Sequence, residues 1–273
     1  MLNFAKLGFT PLLILDDGHG PETPGKRTPP FPDGAVIREN TFNKAVIDLL
    51  EVEAKRLGYK TLQVAPEDKD VALATRSNRA NKAYADLKAQ LGNTRGMMNG
   101  KAIAIYISQH YNAMKDTWDG STANGMSIHI LGYGGEAAKI ATSVLKYLAQ
   151  GTPQTNRGIK VDNFHVLRET DMPAILIEAG FMDDPEDAAL MSSPAYHKEV
   201  VSEILQGIGE YYGVGYIPEA GKHTPQEEAV QAAINAGIIK DRDHWLAVLN
   251  GKRPIDLRYL MIAFMNTKGL KIK

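Results

Sequence analysis

The run AIAIYI at residues 102–107 decides the fold: β-branched, uncharged and bounded by polar segments, it reads as a strand buried on both faces. Upstream, Leu12–Leu15 is a second short apolar run, stopped by Asp16-Asp17-Gly18, and Tyr59–Val64 reads as another strand. Downstream, Ser127–Leu131 and the AILI run at 174–177 repeat the pattern, the latter followed by Glu178-Ala179-Gly180. Helical periods fall between these runs. From Thr41 to Leu57, apolar residues recur at Phe42, Ala45, Val46, Leu49, Leu50 and Val52, and Gly58 closes the stripe. Ala72–Leu91, Glu136–Ala149 and Tyr196–Tyr212 are predicted helices as well. The alternation predicts an α/β fold, a mostly parallel twisted sheet flanked by helices. Gly18–Gly34, dense in Gly and Pro, is expected to be a loop over a site.

The character changes after Tyr212. GVGYIPEAGKHT at 213–224 has the Gly and Pro content of a linker, and Thr224, Pro225 and Glu227 carry a helix-start signature. Only helical periods follow through Phe264. The expected organisation is therefore a domain at 1–213, a linker at 214–223 and a small C-terminal helical module at 224–273.

Composition excludes more than it identifies. A hydrophobic fraction of 44% and a charged fraction of 23% describe an ordinary globular chain. The net charge of -1 supplies no global pull toward nucleic acid or anionic lipid. With no cysteine among 273 residues, disulfides, thiolate metal ligands and cysteine nucleophiles are all ruled out. No stretch approaches the roughly 20 apolar residues that span a bilayer, so no membrane insertion is expected. The apolar run Pro11–Leu15 ends in two acids without a small-residue cleavage site, and the chain is expected to be cytoplasmic as synthesised.

In such a sheet, chemistry gathers at the carboxyl ends of strands. His19 follows the first strand, His110 follows AIAIYI, Glu178 follows AILI, and Glu39 ends the Pro/Gly loop. Two imidazoles and a carboxylate suit Zn²⁺ with one position left for water, and a further carboxylate can serve as base. Each has a plainer reading: His19 as a capping or core residue, and Glu39 as an acid favoured by a helix N-terminus. Glu178 is harder to explain away, because an idle carboxylate directly after four apolar residues is unusual. His129, inside SIHIL, either lines the cleft or packs; His165 has the same two readings, with packing preferred; His197, His223 and His244 are given no role.

Taken in order, these segments resemble the Amidase_3 family of peptidoglycan amidases. LILDDGHG at 13–20 is similar to that family's metal loop, RENTFN at 38–43 to its Glu-x-x-x-Asn element, and ISQHYNA at 107–113 to its Ser-x-His-x-Asn-Ala segment. AILIEAGFMDD at 174–184 resembles the strand carrying the catalytic Glu, ATRSNRANKAYAD at 74–86 the Arg helix, and NFHVLRETDMPA at 163–174 the lead into the last strand. Asp17 and Gln109 depart from the family pattern, and an extra segment lies between Leu87 and Gly100.

The resemblance implies a zinc enzyme with His19, Glu39 and His110 as ligands and Glu178 as the catalytic acid–base. Its substrate would be bacterial peptidoglycan, cut at the amide bond between N-acetylmuramic acid and L-alanine. A phage or prophage endolysin, reaching the wall through membrane lesions, is the expected setting; a mother-cell sporulation amidase is the alternative. A wall-binding protein without activity is the rival from another class, and a zinc peptidase or deacetylase is the closest enzymatic competitor. The tail is expected to bind cell wall, with packing on the core or a homo-oligomer contact as the alternative.

Overall fold

The computed structural model describes residues 1–218 except 93, 119–122 and 152–153, so the helices expected at 224–273 lie outside the described residues. Strands β1 (Leu12–Asp16), β2 (Lys60–Gln63), β3 (Met97–Met98), β4 (Lys101–Ala102), β5 (Ala104–Asn112), β6 (Met126–Ile130), β7 (Asn156–Val161) and β8 (Ala174–Phe181) alternate with helices. These are α1 (Glu39–Leu57), α2 (Leu73–Gln90), α3 (Glu136–Gly151), α4 (His165–Arg168), α5 (Pro185–Leu190) and α6 (Pro194–Tyr212). Six strands form one sheet in the order β2-β1-β5-β8-β6-β7. Every neighbouring pair is parallel except β6 and β8, so the expected mostly parallel α/β fold is what the chain adopts. Among the described residues no helix is long and apolar enough to cross a membrane.

The order explains the composition of each strand. β5 and β8 lie at the centre, and AIYI and AILI are buried throughout because helices cover both faces. On one face α6 packs between α1 and α3; on the other, α2 and α4 pack together beside β8. Sequence reading stopped both central strands too early. β5 and β8 pair with each other as far as Asn112 and Phe181, and β6 pairs with β8 as far as Glu178, so His110 and Glu178 stand inside β5 and β8 and not beyond them. β7, NRGIKV, escaped notice because an edge strand of mixed polarity has no apolar run to announce it. The segment between Leu87 and Gly100 ends in the small β3–β4 hairpin. Past α6, Tyr216 returns to the core and its hydroxyl donates to Glu53 at 3.1 Å, so the packed unit reaches beyond Gly213.

Two carboxyl groups one turn apart on α6, Glu199 and Glu203, are buried, and each has an oxygen without a hydrogen-bond partner among the described residues. Burial pushes Glu199 up to about 8, and burial together with Glu199 pushes Glu203 up to about 10. Both carboxyls are raised above their unfolded values, so at these two positions the folded chain holds more protons than the unfolded one from about pH 4.5 upward. Their contribution to stability should therefore fall as pH rises through that window and level off only above the folded values. Glu203→Gln should flatten this alkaline decline in denaturant midpoints measured between pH 6 and pH 9; an unchanged slope would show that Glu203 keeps its charge.

Candidate active site

β1 ends in Asp16 and passes into the Asp17-Gly18-His19-Gly20 turn. At Gly18, φ is 36°, and a Cβ there would lie 2.6 Å from the His110 ring and the Gln109 carbonyl. Only glycine lets the turn pass this close to β5. His19 itself has φ 61°, an uncommon conformation for a residue with a side chain. The strain is held by Arg76 of α2, a fully buried guanidinium. It donates to Asp16 at 2.5 Å, to Asp17 at 3.2 Å, to the His19 carbonyl at 2.6 Å and to the Val71 carbonyl at 2.8 Å. The Ser108 hydroxyl completes the Asp16 carboxylate at 2.7 Å. Opposed by its own burial, Asp16 is nevertheless held below the usual range by Arg76 and Ser108. Breaking a buried pair from one side strands the other charge, so Arg76→Ala should destabilise the fold by about 3–5 kcal/mol and free the His19 loop. Urea unfolding of the variant checks this; a loss under about 1 kcal/mol would mean water replaces the guanidinium.

α1 begins at Glu39, two residues before the periodicity suggested, which turns an apparent loop acid into the first residue of a helix. Glu39 is also buried, and its Oε1 accepts three hydrogen bonds: from the His110 ring at 2.9 Å, from the Tyr111 amide at 3.1 Å and from Asn43 at 3.3 Å. Oε2 accepts none among the described residues and lies 3.4 Å from His19 Nε2. The helix-capping reading of Glu39 cannot account for this, because a capping carboxylate has no need of burial against two imidazoles. The ligand atoms of His19, Glu39 and His110 all lie within 4.8 Å of one another. The two rings meet edge to face at a centroid distance of 4.9 Å.

The ionisation states favour a cation. Burial lowers His19 to about 4 against the pull of Glu39, leaving it neutral. Although burial opposes the charge, the hydrogen bond from His110 and the charges of both rings bring Glu39 down to about 2. His110 is raised, the hydrogen bond and charge of Glu39 outweighing burial. A buried, ionised carboxylate with one oxygen pinned and the other orphaned, beside neutral imidazole nitrogen, fits a borderline metal such as zinc.

Glu178 stands across from His110 in the β5–β8 register, which puts both side chains on one face of the sheet. Its Oε2 is buried without a partner among the described residues, and burial pushes the group up to about 8, with His110 opposing and Glu39 assisting. The structure thus gathers His19, Glu39, His110 and Glu178 in one place. His129 lies on the same face, bonded to Ser127 and Asp162. His165 Nε2 lies 3.3 Å from the Ser77 hydroxyl and ties α4 to α2. His197 is half-buried and packs on Phe42. Sequence reading missed the Asp16–Arg76 clamp, although both residues sat inside the quoted motifs.

Comparison with known proteins agrees with this geometry. Residues 13–210 match the family model of Amidase_3, N-acetylmuramoyl-L-alanine amidase. The germination-specific N-acetylmuramoyl-L-alanine amidase of Bacillus subtilis is 27% identical over 208 residues, covering 74% of this chain and 79% of that protein. The catalytic domain of CwlV, an N-acetylmuramoyl-L-alanine amidase from Bacillus (Paenibacillus) polymyxa var. colistinus, superposes with a TM-score of 0.58 at 27% identity, covering 75% of this chain and 99% of that one. An N-acetylmuramoyl-L-alanine amidase of Clostridium difficile 630 gives a TM-score of 0.60 at 26% identity, covering 75% and 97%. Matched to that model over residues 13–210, the chain belongs to the Amidase_3 family of N-acetylmuramoyl-L-alanine amidases, hydrolases of an amide bond.

Proposed function

We propose that the chain hydrolyses the bond between N-acetylmuramic acid and L-alanine of bacterial peptidoglycan with one zinc ion held by His19, Glu39 and His110. The observation that carries this reading is a pair of buried carboxylate oxygens without a hydrogen-bond partner among the described residues, Glu39 Oε2 and Glu178 Oε2, the first 3.4 Å from His19 Nε2 in a cluster whose ligand atoms, His110 included, lie within 4.8 Å of one another. When bound, zinc polarises the amide carbonyl and lowers the pKa of the attacking water. The protein supplies the rest. Asn43, the Tyr111 amide and His110 fix Glu39 so that its free oxygen faces the cluster. Glu178 accepts one proton from the attacking water and passes it to the alanine nitrogen as the C–N bond breaks, so that water is added across the amide with no net change in the enzyme. Burial of Glu178 supports this role, since a carboxyl raised to about 8 can hold and release a proton near neutral pH.

Digesting purified wall and counting new ends tests the reaction. Amidase action yields new L-alanine amino termini on intact glycan, whereas new reducing ends would indicate a glycosidase and release of acetate a deacetylase.

We place the enzyme in phage or prophage lysis, with residues 224–273 as a wall-binding tether. What supports the tether is that the family match ends at 210 and leaves a further segment of chain. A tether raises the effective concentration of enzyme on an insoluble polymer. A cut after Pro218, beyond the contact of Tyr216 with Glu53, should therefore spare activity on soluble fragments while reducing lysis of intact wall. Equal loss on both substrates would show that the segment supports the fold instead. Similarity to the germination-specific protein, and at 25% identity to the sporulation-specific amidase of the same Bacillus, favours a second setting in spore wall remodelling.

A further inference from the structure

On the face that carries His110 and Glu178, three more polar side chains stand in line. Antiparallel pairing sets Ser127 of β6 directly across from Glu178, and His129 across from Leu176. With His110 across from Glu178 on the other side, His110, Glu178 and Ser127 form a row over three strands. The Ser127 hydroxyl lies 3.0 Å from His129 Nε2, and His129 Nδ1 lies 2.7 Å from Asp162 just beyond β7. Ser127 and His129 are 1% and 5% exposed, and the Phe164 ring covers the imidazole at 5.4 Å.

Counting protons settles the direction of these bonds. A carboxylate oxygen accepts, so His129 Nδ1–H donates to Asp162 Oδ2. Burial, outweighing Asp162, favours the neutral ring, which leaves a lone pair on Nε2. The Ser127 O–H must then donate to His129, and its single proton points away from Glu178. This explains an otherwise odd fact. Directly opposed residues have Cβ atoms about 4.5–5.5 Å apart, yet the buried Glu178 Oε2 has no hydrogen-bond partner among the described residues.

We propose that Ser127, His129 and Asp162 form a positioning chain for the hydrolysis, in which Asp162 fixes the His129 tautomer, His129 holds the Ser127 proton, and Glu178 is left free to face the reacting water. The inference rests on the assignment of Glu178 as the acid–base. The chain transfers no proton itself. If the Ser127 hydroxyl were released, it would donate to the Glu178 carboxylate and hold it turned across the sheet.

The test is a suppression experiment on soluble muropeptide with the full chain. His129→Phe keeps the ring volume but frees the hydroxyl, and kcat should fall about 10- to 100-fold, the worth of one hydrogen bond to a charged group, with KM and bound zinc unchanged. Adding Ser127→Ala should restore most of the lost kcat, because no donor remains to pin Glu178. A double variant as slow as His129→Phe would overturn the proposal and make His129 a packing residue. Should His129→Phe fail to fold, Asp162→Ala, at a partly exposed site, is expected to show a smaller loss with the same rescue. Independently of activity, ¹⁵N spectra of histidine-labelled, metal-free protein should show His129 with its proton on Nδ1; a proton on Nε2 would refute the chain. Full turnover by Glu178→Gln would refute the Glu178 assignment itself, whereas loss in that variant without rescue in the other refutes the chain alone.

Discussion

Glu178→Gln should lose most hydrolysis, about 10²–10⁴-fold in kcat, while folding normally and binding zinc as tightly as the parent. The substitution preserves shape and removes the ability to take a proton. Glu178 lies outside the three-residue cluster, so its loss leaves every proposed ligand in place. Removing a buried carboxyl raised to about 8 also relieves a desolvation cost, so thermal stability should hold or rise. Turnover measured on muropeptide, with zinc content determined on the same sample, checks both halves. Near-normal kcat would move the proton to another group, and lost zinc would make Glu178 a ligand.

The second large effect concerns the cluster itself. His110→Ala should abolish stoichiometric zinc binding and activity together, because it removes a proposed ligand and also the partner that pins Glu39 Oε1 at 2.9 Å. Asn43→Ala, which loosens the same oxygen from 3.3 Å away without touching the ligand atoms, should cost only about 10–100-fold in zinc affinity, as outer partners of metal ligands do. Acid should mimic the first effect. Protons compete for the imidazoles, and His110, raised by Glu39, takes one before His19, which burial holds near 4. Titration of zinc into the metal-free variants by calorimetry ranks them; equal affinities for parent and His110→Ala would move the ligand role elsewhere.

How much of this was legible in the sequence depends on how local each cause is. AIAIYI and AILI announced the centre of the sheet because double-sided burial leaves an unbroken apolar run. The same two strands were cut short at Ile107 and Ile177, since the polar continuation that carries His110 and Glu178 is paid for by ladder partners on β8, β5 and β6, which no local pattern displays. His19, Glu39, His110 and Glu178 stood out by their places after strands and before a helix, and the family resemblance implied their roles. That Glu39 presents one orphaned oxygen while three donors hold the other depends on contacts with residues as distant as Tyr111. The Asp16–Arg76 clamp joins residues 60 apart and remained invisible for the same reason. His129 was read as lining or packing; it is buried on the cleft face with two polar partners, one of them 33 residues away.

The most direct measurement is a zinc titration of the metal-free chain in which released L-alanine amino termini are counted at each point. The account predicts that activity rises with zinc and levels off at one ion per chain, with glycan reducing ends constant throughout and Glu178→Gln binding the same ion in silence. Activity independent of zinc, or reducing ends appearing in place of amino termini, would contradict it.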